Sequence, residues 1–161
     1  MKWTKIFLII MSSLLGLLFY LCYLMTPAPG SISGNGNPAI LFVFLMVGLF
    51  IFIVVLWLRV LRAHRVNERF VVICATVASV YIIIGFIYQR IALKQYKQVI
   101  YESILKADGQ VDLHYFESIT SGLSIHINNQ NFNGNTFFIV MCLALLLALF
   151  FYWSGQQKSA L

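Results

Sequence analysis

The chain has 161 residues, of which 61% are hydrophobic and 10% charged, with a mean hydropathy of +0.88. That balance excludes an ordinary soluble domain and points to a polytopic membrane protein. The net charge of +6 is read as a determinant of topology rather than a nucleic-acid footprint, so no nucleic-acid partner is expected.

Four apolar stretches, at about 6–25, 39–58, 70–89 and 136–153, are each long enough to cross a bilayer. The hydrocarbon core is about 30 Å thick and a helix rises about 1.5 Å per residue, so around 20 apolar residues suffice. The expected fold is an all-α membrane protein: a four-transmembrane-helix bundle, one integral membrane domain over 1–161, with both termini cytoplasmic. A small, partly structured outer loop over 91–135 joins the third and fourth spans. Lipid is the first partner implied.

The first span follows Lys2 and Lys5, as a signal peptide would. Its apolar run exceeds the usual length of a cleaved leader, and no small-x-small site ends it, so it is expected to be retained. It carries Ser12, Ser13 and Gly16, small residues suited to close helix packing. Thr26–Pro38 follows, rich in Pro, Gly, Ser and Asn, and reads as an irregular connection. Gly30, Gly34 and Gly36 make no phosphate-cradling motif, because no strand precedes them. The second span has only Gly48 among bulky residues and is expected to face lipid or a partner.

Arg59, Arg62, Arg65 and Arg69 crowd the next, very short loop with His64. With Lys2, Lys5 and Lys158 they put seven of the eleven basic residues on one side, if the spans alternate. Short loops dominate the positive-inside bias, so that side is expected to be the cytoplasm of a plasma membrane. Trp3, Trp57 and Trp153 fall at the same boundary, where the indole is favoured; Tyr20, Tyr23 and Tyr88 mark the other. If the helix ran on through the loop, Arg62, Arg65 and Arg69 would share a face. The cluster is expected to contact anionic lipid headgroups or an acidic partner as well as to set topology.

The third span has a seam of Ala75, Ala78, Ser79, Ile82 and Gly85 at steps of three or four residues. Beyond it, Ile91, Tyr96, Val99, Ile100, Ile104 and Leu105 recur near helical spacing among Lys94, Lys97, Gln98, Glu102 and Lys106. The pattern predicts an extension of the span or a surface amphipathic helix, broken at Asp108-Gly109. Val111–Tyr115 and Leu123–Ile127 then alternate apolar and polar residues around Ser121-Gly122, which predicts a small β-hairpin. In an even register His114 and His126 would face each other, with Asp112 and Glu117 alongside. His114, His126 and Glu117 are the catalytic candidates, and His114, His126 and Asp112 the metal candidates, weighed against simple solvated loop residues. An Asn-rich stretch, 128–135, returns to the fourth span, whose Ala144 and Ala148 again suit close packing.

The four-span layout is similar to that of membrane thiol oxidoreductases such as vitamin K epoxide reductases. Those enzymes need exposed cysteine pairs, whereas Cys22, Cys74 and Cys142 sit singly within spans. The loop sizes also give a tetraspanin-like or claudin-like layout, without either group's cysteines. No Asp, Glu, Lys or His lies inside a span, and all three prolines lie at 27–38, which disfavours a self-contained coupled transporter. Three readings follow. The first is an accessory, regulatory or immunity-type interaction subunit with a membrane-protein partner or self-association, not an enzyme, and expected in a bacterium. The second is an outer-face enzyme acting on lipid or a lipid-linked substrate through the loop histidines and acids. The third is an oligomeric channel or transporter component. No cofactor is expected.

Overall fold

The computed structural model describes residues 1–31 and 36–158, with side chains through Gln156. Gly34 and the side-chain charge of Lys158, both used above, lie outside the described residues. Helix accounts for 84% of the described residues, which contain no strand. The elements are α1 (Lys2–Leu24), α2 (Ala39–His64), α3 (Glu68–Asp108), α4 (Leu113–Ile119), a 3-10 turn (Ile125–Ile127), α5 (Asn128–Asn131) and α6 (Gly134–Lys158). Helices α1, α2, α3 and α6 are long and apolar enough to cross a membrane.

Helix ends fall where local chemistry stops them. Arg65 ends α2 in the left-handed region (φ 46°, ψ 52°), a conformation that carries a steric cost for a side chain with a Cβ. Asn67 then caps α3, its Oδ1 accepting from the Phe70 amide at 2.8 Å. The helix runs unbroken for 41 residues, about 60 Å or twice the hydrocarbon thickness. Gly109 closes it with φ 72°, its amide donating to the Leu105 carbonyl at 3.0 Å. The amphipathic segment after the third span is therefore a continuation of α3.

The β-hairpin expected at 111–127 does not form. Asp112 Oδ1 accepts from the amides of His114 (2.9 Å) and Tyr115 (3.3 Å), which starts α4 where a strand was anticipated. Ser124 Oγ likewise accepts from the His126 amide at 3.4 Å and opens the 3-10 turn. Both residues are strong cap formers, and an isolated two-stranded hairpin is marginal at best. The helical alternative buries Ile119 and Ile127 against Ile100 and Ile104 of α3, and sets Tyr101 edge-on to Phe116 at 5.5 Å.

In the bundle, α2 packs along both α1 and α6, whereas α3 packs along α6 and, at the far end, α5. This corrects the expectation for the second span. Met46, Ile53, Val54, Leu56 and Leu61 are buried, and α2 lies inside the row of helices rather than at its edge. Bulky side chains do not keep helices apart when ridges fit grooves. The small-residue seam of α3 does face a neighbour: Ala78 and Gly85 are buried, and a Cβ on Gly85 would stand 3.0 Å from Asn135 Oδ1 and 3.1 Å from Ile139. Ala144 and Ala148 of α6 are fully buried. Ser13, by contrast, is exposed.

Candidate functional site

The arginine loop builds a concave surface. Because α2 stops at His64 and the chain turns through Arg65, the face shared by Arg62, Arg65 and Arg69 never forms. Arg62 and Arg65 line a crevice of about 690 Å³ together with Glu68, Tyr152, Trp153 and Gln156, over Val66 and Val71. Arg59 and Arg69 are exposed elsewhere and do not line it. The walls are fixed by hydrogen bonds: Tyr152 Oη donates to the Val66 carbonyl at 3.0 Å, tying α6 to the turn, and Gln156 Nε2 donates to Tyr152 Oη at 3.0 Å. The Arg62 guanidinium lies beside α6 at Gly155, where a Cβ would stand 3.9 Å from an Arg62 terminal nitrogen, an ordinary contact distance. Trp153 lies in this wall, but Trp57 is a different case. Its ring packs in the core with Nε1 buried and without a hydrogen-bond partner among the described residues.

The other end is closed by amides. Asn37 and Asn128 pair reciprocally: Asn37 Nδ2 donates to Asn128 Oδ1 at 2.7 Å, and Asn128 Nδ2 donates to Asn37 Oδ1 at 3.0 Å. The first loop is thus fastened to α5, and Asn128 is fully buried. Asn133 starts α6 with a reciprocal cap, its Oδ1 accepting from the Thr136 amide at 3.1 Å while its own amide donates to Thr136 Oγ1 at 2.9 Å. Asn135 Nδ2 donates to the Gly85 carbonyl at 2.9 Å and to Gln89 Oε1 at 3.1 Å, bonding α6 to α3 where the seam is tightest. Sequence reasoning registered 128–135 only as a return to the membrane. The available signal was five asparagines ending at the lip of a span, level with Gln89.

The loop histidines are separated by environment. His114 is exposed on α4, in an open hollow of about 480 Å³ with Lys97, Glu117, Ser118 and Ser121. His126 does not line that hollow; it is buried in the 3-10 turn, with Nε2 lacking a partner among the described residues. Its burial disfavours the imidazolium and lowers its pKa below 6.5. Asp112 spends one carboxylate oxygen on capping α4. Among the described residues no three His, Cys, Asp or Glu converge as a metal site would require. Cys22, Cys74 and Cys142 are all free thiols.

No family model matches the chain, and no curated protein or solved structure gives a match.

Proposed function

We propose that this protein is an interaction subunit of a plasma membrane, engaging a partner helix through the free face of α3 while Arg59, Arg62, Arg65 and Arg69 meet anionic headgroups. The observation that carries the reading is the pattern on α3. One stripe, Val71, Ala75, Ala78, Ile82, Gly85 and Gln89, faces α6. A second, Ile73, Val77, Val80, Ile84, Ile87 and Ile91, is offset by two residues and so lies on the opposite side of the helix. All six residues of the second stripe are exposed. They recur in alternating steps of four and three, the spacing of a helix–helix seam, and all are β-branched. Such side chains enter a packed interface with little rotamer freedom left to lose. A partner helix, from another protein or a second copy, has a register to follow there.

The test is site-specific photo-cross-linking in native membranes from position 84, with position 41 of α2, which is also highly exposed, as the control. A defined protein adduct from position 84 alone supports the reading. Lipid adducts only, or the same adducts from both positions, would overturn it.

A further inference from the structure

We infer that the crevice between the α2–α3 turn and the end of α6 is a binding site for the phosphate of an anionic phospholipid, with Arg62 and Arg65 as its ligands. The inference deepens the headgroup contact proposed above for the arginine cluster and rests on it. It divides the cluster: Arg62 and Arg65 bind, while Arg59 and Arg69 contribute only diffuse charge.

The geometry points to a built site rather than a charged rim. Two guanidinium groups line one concavity, and among the described residues neither takes part in an ion pair or side-chain hydrogen bond. Glu68, the acid that lines the same crevice, forms no ion pair with them. Each guanidinium presents a planar fork of donors that suits phosphate oxygens bidentately. The remaining walls are amphipathic. Tyr152 and Trp153 belong to the last apolar turns of α6, and Val66 and Val71 supply an apolar floor. A headgroup held by the arginines would therefore keep its glycerol and upper acyl carbons against apolar surface, which a free phosphate cannot do. The volume, about 690 Å³, lies within the range of small-molecule sites, roughly 300–1,000 Å³. The site is also rigid in the part that matters. The Tyr152–Val66 hydrogen bond holds the turn against α6, and the left-handed Arg65 backbone sets where α3 begins.

The experiment uses the full-length protein in bilayers of mixed phosphatidylcholine and phosphatidylglycerol, with retained lipid read by native mass spectrometry. The wild type is expected to keep phosphatidylglycerol selectively. R62Q/R65Q should lower that retention about tenfold or more, the scale of losing one charge-assisted hydrogen bond. R59Q/R69Q should stay within about twofold of wild type, as distant screened charges do. R62K/R65K keeps the charge that sets topology and covers the case in which the glutamine variant fails to insert. Its retention should also fall several-fold, because lysine cannot make the bidentate contact. Equal losses in the two glutamine variants, or full retention in the lysine variant, would overturn a defined site in favour of diffuse attraction. Displacement of the lipid by inorganic phosphate would reassign the crevice to a free phosphoryl ligand. Lipid retention is read on the purified chain without a partner, so it can persist when the α3 cross-link fails, and the reverse.

Discussion

Helices α2 and α3 are both strongly apolar, with peak mean hydropathies of 3.3 and 2.7, yet they meet the protein in opposite ways. In α2, 28% of the most apolar window is buried between two neighbours; in α3 it is 17%, against one. The bulkier helix is the inner one. Lipid tails are as apolar as leucine, so hydropathy decides that a helix crosses but not what it touches. Contact is decided by shape and by hydrogen bonds. Helix α2 engages through interlocking Met, Ile and Leu side chains. Helix α3 engages through a narrow seam of small residues, fastened by Asn135 and Gln89 beyond Gly85.

That contrast can be broken most severely at glycine. Gly85→Leu is expected to destabilise the protein by about 3 kcal/mol, because the new side chain must enter the space of Asn135 and Ile139. Gly48→Leu in α2 should change stability by less than about 0.5 kcal/mol, since nothing lies within 4 Å of its added Cβ. Thermal melts of the detergent-solubilised protein separate the two. Equal effects would mean that α3 is not held by its seam.

A truncation pair sharpens the same difference. Ile53→Ala removes a fully buried side chain from α2 and should cost about 1–2 kcal/mol, mostly as lost packing because lipid offers the isoleucine a comparable solvent. Ile84→Ala removes one that is 62% exposed on α3 and should leave monomer stability within about 0.5 kcal/mol. Any loss from Ile84→Ala should instead appear in cross-linking yield at the free face of α3.

The smallest effect is expected where α3 leaves the membrane. His126 has its pKa lowered by burial, so the unfolded chain binds the extra proton more readily than the folded cap does. Stability from that term is fully present above pH 6.5 and falls as the pH drops below it. Amide protection across 113–132, taken relative to the intrinsic exchange rate at each pH, should therefore fall on acidification. His126→Phe should remove that response and His114→Ala, on the exposed side of α4, should preserve it. A response that survives His126→Phe would assign it to another group.

The four long apolar helices and the seam on α3 were legible, and the continuation of α3 was one of two readings the sequence offered, because each rests on one helix's own composition and period. The loop was read correctly only in part. Val111–Tyr115 and Leu123–Ile127 alternate over five residues, too short a run to distinguish a strand from a capped helical turn. Asp112 and Ser124 decided the outcome by accepting backbone hydrogen bonds locally. The arginine cluster was visible as charge, but its division into crevice and periphery depends on Arg65 turning left-handed, which places Arg62 and Arg65 on one concavity and Arg69 on the next helix.

From sequence alone, then, come the number of helices long and apolar enough to cross a membrane, the uneven spacing of charge along the chain and the faces that suit close approach. These are properties of single segments in lipid, set by length, hydropathy and helical period. Tertiary structure alone decided which helix lies inside, how Asn37 finds Asn128, and why His126 is buried while His114 is not. Each of those depends on residues far apart in the chain competing for one space or one hydrogen-bond partner, and no local pattern records who wins that competition.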